Sequence, residues 1–237
     1  MINKEALEYL VELGIKEDPI VDLSQGTFTK ERLTRVTVPK AETLTVSTLT
    51  GLIDYIKSNI DTLPEKLLIQ VKSHKEVALY SPLNIDRDRE EYIRVEAILP
   101  NNVVYDRFLS TEQFNIMLQS SFVDVGTKST LLKYTGLVQD ETVKTTGDDG
   151  VSQQVTVKTG VASVGQAIVP NPVELAPYRT FPEVDQPISK FIFRMQEGPK
   201  AAIFEADGGA WRNKAILNIK GYLQEELKEL KNIEIIA

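Results

Sequence analysis

The acidic residues near the end of the chain are the ones whose spacing could support chemistry. Glu205 and Asp207 stand two positions apart, and if one strand ran through both, their side chains would point to the same face. Carboxylates placed in this way can hold Mg²⁺ or act as acid and base. A second pair, Asp148 and Asp149, has the simpler explanation that Asp and Gly favour tight turns. Neither pair belongs to a recognised catalytic motif, so we predict no catalytic residue, no metal and no cofactor.

The run Asp-Gly-Gly-Ala-Trp at 207–211 is the most distinctive short motif. Gly208 and Gly209, placed before a helix, could expose backbone N–H groups to an anion. The run matches neither the phosphate-binding pattern GxxxxGK(S/T) nor the dinucleotide pattern GxGxxG. We therefore favour a sharp strand-to-helix turn in which Trp211 anchors the helix on the core.

Arg179 lies beside aromatic residues in a segment bounded by prolines. Such an arginine can bind a phosphate or stack on a nucleic-acid base, or it can tie the segment to Glu183 or Asp185. Because basic residues do not cluster around it, nucleic-acid contact is the weaker interpretation. The only histidine, His74, falls in a predicted turn and is interpreted as a surface residue. The residues grouped as a candidate interaction or structural motif are Arg179, Phe181, Glu205, Asp207, Gly208, Gly209 and Trp211.

The composition indicates an ordinary globular chain kept in a reducing compartment. Of its 237 residues, 42% are hydrophobic and 26% charged, which is enough to bury a sizeable core. The lack of cysteine excludes disulfides, zinc–thiolate sites, iron–sulfur clusters and cysteine nucleophiles. The sequence begins without the apolar stretch of a signal peptide, and no window resembles a membrane span. We therefore expect a soluble, cytoplasmic protein.

The formal net charge of −7 argues against a general binder of nucleic-acid backbones. Affinity of that kind comes from Lys and Arg neutralising phosphates. The simplest interpretation is that the charge keeps the protein soluble.

Apolar periodicity predicts the helices. The clearest is Val46–Ile60, where apolar residues recur at every third or fourth position and Thr45 or Ser47 could form the cap. Ser110 followed by Gln113 matches a capping box. The predicted helices are residues 3–13, 46–60, a helix starting after 110, 124–138 and 212–230.

Alternating and β-branched runs predict the strands, two pairs of which read as hairpins. The first joins Lys66–Ser73 to Val77–Tyr80, and the second joins Lys190–Gln196 to Ala201–Ala206. The other predicted strands are residues 32–38, 91–99, 173–175 and an edge strand at 233–237. Because helices and strands mix without strict alternation, we predict an α+β fold. It would have a mixed, mainly antiparallel sheet, several flanking helices and a long C-terminal helix.

The predicted organisation is an N-terminal helix and arm, residues 1–30, followed by a single α+β domain, residues 31–237. Thr- and Val-rich runs around Gly147–Gly150 indicate a β-hairpin excursion from that domain at 142–161. Prolines spaced between 170 and 187 predict an extended segment with kinks.

Three segments in the last third of the chain carry a resemblance to a known family. They are Leu175–Pro187 (LAPYRTFPEVDQP), Phe191–Arg194 (FIFR) and Phe204–Trp211 (FEADGGAW). Together they resemble the YfdQ-like family, a domain of unknown function carried by phages and prophages. The order of earlier elements is also similar, so the resemblance covers most of residues 35–230. It implies a viral or prophage origin, and it transfers no activity and no catalytic residue.

These features lead to competing hypotheses about function. With no nucleophile or metal motif recognised, we predict a non-enzymatic phage or prophage protein that acts by homo-oligomeric assembly, as a ring or shell, or by protein binding. The alternatives are an accessory protein of phage DNA replication or recombination, an inhibitor of a bacterial defence system, and a carboxylate-dependent enzyme using Glu205 and Asp207. The expected partners are other copies of the chain and other phage or host proteins, without membrane or nucleic acid. The expected location is the cytoplasm of the host bacterium or the virion.

Overall fold

The computed structural model divides the chain into two compact units, residues 1–40 and 41–237. The residues it describes are 4–15, 20–23, 26–29, 40–84, 87–137, 145–148, 153–159, 163–168, 170–196, 198 and 200–237. The predicted strand at 32–38 lies outside them. None of the described helices is long and apolar enough to cross a membrane.

The first unit combines a helix with a short hairpin. Helix α1 (Lys4–Ile15) covers the predicted helix and extends beyond it by two residues. Strands β1 (Ile20–Leu23) and β2 (Gly26–Thr29) pair antiparallel. The arm predicted after the helix, up to residue 30, is a polar connection without strands. That prediction is wrong, because the β-branched residues at 20, 21, 27 and 29 favour a strand pair.

The second unit holds the remaining elements. Its described helices are α2 (Leu49–Ser58), α3 (Thr111–Ser121), α4 (Lys128–Leu137) and α5 (Ala210–Glu226). Its described strands are β3 (Leu44–Val46), β4 (Leu67–Ser73), β5 (Glu76–Tyr80), β6 (Glu91–Glu96), β7 (Leu109–Ser110), β8 (Thr145–Asp148), β9 (Gln153–Thr159), β10 (Ser163–Ile168), β11 (Val173–Leu175), β12 (Ser189–Gln196), β13 (Lys200–Glu205) and β14 (Ile233–Ile236). This mixture of helices and sheets confirms the predicted α+β class, and α5, with 17 residues, is its C-terminal helix.

A mixed five-stranded sheet in the order β14-β4-β5-β6-β3 is the first sheet of this unit. Strands β4, β5 and β6 follow one another antiparallel, as short connections allow. The two edge strands come from distant parts of the sequence and pair parallel, β14 with β4 and β3 with β6. The predicted C-terminal edge strand is therefore confirmed, whereas strand β3 was predicted as loop and helix start.

Helices α2 and α5 pack on the five-stranded sheet. The alternating residues Leu67, Ile69 and Val71 of β4 are buried in one core with residues of both helices, including Leu52 and Ile219. Alternation with a period of two gives the strand one buried face, and the helices cover it because each has an apolar stripe.

A four-stranded antiparallel sheet in the order β11-β12-β13-β7 is the second sheet of this unit, covered by α3 and α4. The residues Phe191, Phe193 and Met195 of β12 point into this second core, where Phe114 of α3 also lies. The predicted hairpin of β12 and β13 is confirmed by continuous antiparallel pairing from Phe191 to Gln196.

The hairpin predicted at 142–161 is present as β8 and β9, and β10 extends it to a three-stranded sheet. Sequence patterning does not indicate β10, because Gly165 and Ala167 lower its strand propensity.

Several helix boundaries differ from their predictions for local reasons. Helix α2 begins later than predicted, because Thr48, and neither Thr45 nor Ser47, accepts the capping bond from the Gly51 N–H at 3.1 Å. Helix α4 begins at Lys128, four residues later than predicted, because a turn at 126–127 precedes it. Helix α5 ends at Glu226, four residues before the predicted end. The Ser110 cap is confirmed, since its hydroxyl accepts from the Gln113 N–H at 3.2 Å.

Candidate functional site

Arg179 is buried between the proline-rich segment and the four-stranded sheet. Only 6% of the residue is exposed. Its Nη1 donates to Glu205 Oε1 at 2.9 Å, while Nη2 donates to the Pro187 carbonyl at 3.3 Å and to Ser189 Oγ. Strand β13 positions Glu205, and the start of β12 positions Ser189. The planar fork of the guanidinium thus fixes the loop to both strands at once.

Glu205, rather than either acidic residue proposed from the sequence, is therefore the ionic partner of Arg179. Glu183 turns the other way, and its Oε1 accepts the Thr50 N–H at the start of α2 at 3.3 Å. The backbone carbonyl of Asp185 accepts from Asn218 of α5 at 2.8 Å. The loop that contains both acids thereby contacts two helices.

The only tryptophan of the chain is the centre of a stack of side chains. The guanidinium carbon of Arg179 lies 3.9 Å from the centre of the Trp211 ring, and that of Arg212 lies 4.7 Å from it. The His74 ring meets the indole edge-on, with 4.8 Å between ring centres. Trp211 is 6% exposed, so the prediction that it anchors helix α5 is confirmed. Cation–π contacts of this kind favour a charged guanidinium even in a partly dehydrated place.

Asp207, two residues before the N-cap residue Gly209, accepts backbone N–H groups at the start of helix α5. Its Oδ1 accepts the Gly209 N–H at 3.0 Å and its Oδ2 accepts the Trp211 N–H at 3.3 Å. Gly208 and Gly209 have φ of 62° and 80°, a left-handed conformation that favours glycine. The predicted strand-to-helix turn is confirmed. The Asp207 carboxylate accepts the Gly209 and Trp211 N–H groups, and the Ala210 and Arg212 N–H groups donate to backbone carbonyls, so these donors of the turn are already used.

The two carboxylates first considered for chemistry therefore have separate partners: Glu205 pairs with a guanidinium, and Asp207 accepts backbone N–H groups. In the described part of the chain, no group of three or more His, Asp or Glu side chains is arranged to hold a metal ion. As arranged, the two acids brace a loop and cap a helix.

His74 connects the five-stranded sheet to this cluster. It lies in the turn between β4 and β5, as predicted, but it is half-buried against Trp211 and not a surface residue. Burial lowers the pKa of its imidazole, and the nearby cations Arg212, Lys75 and Arg179 lower it further. Its carbonyl accepts from the Thr180 hydroxyl at 2.5 Å. The neutral imidazole is thus the form that fits this cationic environment.

The segment around Phe181 is a compact loop. The prediction of an extended segment is wrong there, because the Gln186 side chain accepts from the Arg179 and Thr180 N–H groups and donates to the Phe181 and Val184 carbonyls. Phe181 itself is fully buried in the core beneath α2 and α5. Every residue of the sequence-predicted motif therefore lies in or beside one junction between the two sheets.

The outward side of the four-stranded sheet presents a surface that the sequence search for reactive residues missed. Ile188, directly before β12, and Ile192, within it, alternate with the buried residues and are 55% and 37% exposed. Ile192 lies opposite Phe204 of β13, whose ring meets that of Phe108 with 6.3 Å between centres. Exposed lysines border these residues at 190 and 200. We call this surface the outer sheet face: Phe108, Ile188, Lys190, Ile192, Lys200 and Phe204.

A signal for the outer sheet face exists in the sequence. Successive side chains of a strand point to opposite sides. Between 188 and 195, apolar residues occur at positions of both sides: Ile188 and Ile192 on one, and Phe191, Phe193 and Met195 on the other. A strand with apolar residues on both sides is typical of a sheet that is covered twice. The chain covers one side with α3 and α4 and leaves the residues of the other side partly exposed.

Comparison with known proteins adds no relative. No family model matches the chain, and no curated protein or solved structure is similar to it.

Proposed function

We propose that this protein is a non-enzymatic phage or prophage protein that works by association, either with further copies of itself or with another protein. The outer sheet face is the observation that carries the proposal. Exposed apolar residues that adjoin one another on a regular sheet are typical of surfaces that bind other proteins. The acidic candidates for chemistry meanwhile form internal contacts, which favours a structural role for them.

We also propose that the chain is similar to the YfdQ-like family. Its proposed location is the cytoplasm of a bacterial host or the virion. The three segments that carry the resemblance are neighbours in the fold. They form the last residue of β11 with the loop after it, the middle of β12, and the end of β13 with the start of α5. Their proximity supports treating them as one feature of the protein.

Light scattering across the micromolar range, combined with substitution of the outer sheet face, tests the association. We expect the wild-type chain to be larger than a monomer and Ile192→Glu to reduce that size, because the charge would have to be buried in the contact. Ile116→Glu is the matched control, since Ile116 is an exposed apolar residue on α3. A wild-type chain that stays monomeric contradicts self-association. Equal loss of assembly in both variants contradicts the role of this face.

A further inference from the structure

A groove lies beside helix α5, between the helix and the turn at 183–185. It is a shallow, open depression with a volume of about 360 Å³. Leu217 lies on the side of the groove that the helix forms, and it is 60% exposed. A methyl group added at Gly221, one turn further on, would meet no atom of its surroundings within 4 Å in the described chain. We call this surface the α5 groove: Glu183, Asp185, Leu217, Gly221 and Tyr222.

The α5 groove is acidic at its loop side. Asp185 is exposed, and Glu183 is half-buried with its Oε2 atom lacking a hydrogen-bond partner in the described part of the chain. Lys214, one turn before Leu217, is a nearby cation on the helix. A buried carboxylate oxygen without a donor is costly, so the accessible negative charge of the groove is that of Asp185.

The outer sheet face has the opposite charge. Lys190 and Lys200 are exposed, and Arg194, half-buried, lies on the same side of β12. Glu174 is the register neighbour of Lys190 on β11 and offsets part of this charge. Cations therefore predominate around an apolar centre, whereas the α5 groove places the exposed carboxylate of Asp185 near the exposed side chain of Leu217.

We infer that the outer sheet face of one copy of this chain binds the α5 groove of a second copy, an inference that rests on the association proposed above. Exposed isoleucine and phenylalanine side chains would displace water from the groove around Leu217 and Gly221, which is favourable for apolar surface. The lysines would meet the Asp185 carboxylate, which sets the register and speeds encounter. The occupant is a second copy because one chain carries both complementary surfaces.

Two charge-reversed full-length variants test this match. The first is K190E/K200E, which makes the outer sheet face acidic. The second is D185K, which reverses the exposed charge of the α5 groove. It leaves Leu217 in place for the apolar contact and Glu183 in place because its carboxylate accepts an N–H at the start of α2. K133E/K231E is the control, since both lysines are exposed and the change in net charge equals that of the first variant. Circular dichroism verifies that each variant is folded.

Sedimentation velocity measures self-association of each variant alone and of an equimolar mixture. Each variant alone brings like charges together, so we expect its dissociation constant to rise at least tenfold, with K133E/K231E close to wild type. In the mixture, the acidic face of the first variant meets the basic groove of the second. The unchanged face of the second variant can also bind the unchanged groove of the first. The mixture should therefore regain assembly, and that assembly should weaken with added salt.

The outcomes separate this inference from the proposed function. If wild type assembles and neither variant weakens it, the inference is wrong and association uses another surface. If both variants are monomeric and the mixture does not assemble, the charge match is wrong. If wild type is monomeric throughout, self-association and this inference both fail, and only binding to a different protein survives.

Discussion

Replacement of Arg179 by lysine should destabilise the second unit far more than the same replacement of Arg212. Both guanidinium groups stack on Trp211, but only Arg179 is buried and hydrogen-bonded to Glu205, Pro187 and Ser189. Lysine keeps the positive charge and can still approach Glu205. It has no planar fork, so the contacts on the loop and strand are lost together.

The magnitude follows from those contacts. Loss of hydrogen bonds from a charged donor costs about 1.5–3 kcal/mol, and loss of a dehydrated cation–π contact costs up to about 2 kcal/mol. The Glu205 side chain is 30% exposed and keeps part of its hydration, so we add nothing for the ion pair. We expect Arg179→Lys to lower the free energy of unfolding by about 2–4 kcal/mol in total. Arg212→Lys, at an exposed site, should cost about 0.5–1 kcal/mol.

Urea and thermal unfolding, both followed by far-ultraviolet circular dichroism, measure the free energy of unfolding and the melting temperature of each variant. At about 2–4 °C per kcal/mol for a chain of this size, the melting temperature of Arg179→Lys should fall by about 4–16 °C. If the two variants differ by less than about 0.5 kcal/mol, which is the usual range of surface substitutions, the bracing role assigned to Arg179 is refuted.

Two further predictions concern the same junction. Asp207→Ala should lower the free energy of unfolding by about 1–2 kcal/mol, because two N–H groups at the start of α5 lose their acceptor. Asp207→Asn should lower it by less. Equal losses of the two variants in urea titrations would contradict the capping role. For His74, the folded-state pKa lies below its ordinary value of 6.5, so below that value the unfolded chain binds a proton that the folded chain does not. Stability should therefore fall as the pH is lowered from 6.5 toward the folded-state pKa, and His74→Gln should remove that component. If the unfolding midpoints of the wild type and of His74→Gln fall equally between pH 8 and pH 5, the contribution of His74 is contradicted.

Elements with strong local signals could be predicted from the sequence. The β12–β13 hairpin and the Ser110 cap depend on residues within a few positions of each other, and both form as expected. Strand β3 could not be predicted, because its residues are also compatible with the helical periodicity that follows. Its parallel pairing with β6 depends on a strand far away in the sequence.

The residues of the junction could be predicted, but their partners could not. Arg179 and Trp211 stand out by type, yet nothing local shows that Glu205 rather than a nearer acid pairs with the arginine. The turn that contains His74 is predicted from neighbouring residues, and a histidine in such a turn is expected at the surface. Its burial against Trp211 depends on the packing of one sheet beside the other, which neighbouring residues do not indicate. Partner choice of this kind is tertiary and overrides local propensity.

The stack around the indole has an optical consequence. The chain holds one tryptophan and one histidine, and their rings touch. Tryptophan emission, excited at wavelengths that the eight tyrosines do not absorb, therefore originates at a single, known place, between two guanidinium groups and beside an imidazole that can gain a proton. A change in its intensity or wavelength would report motion where the two sheets join, without any attached dye.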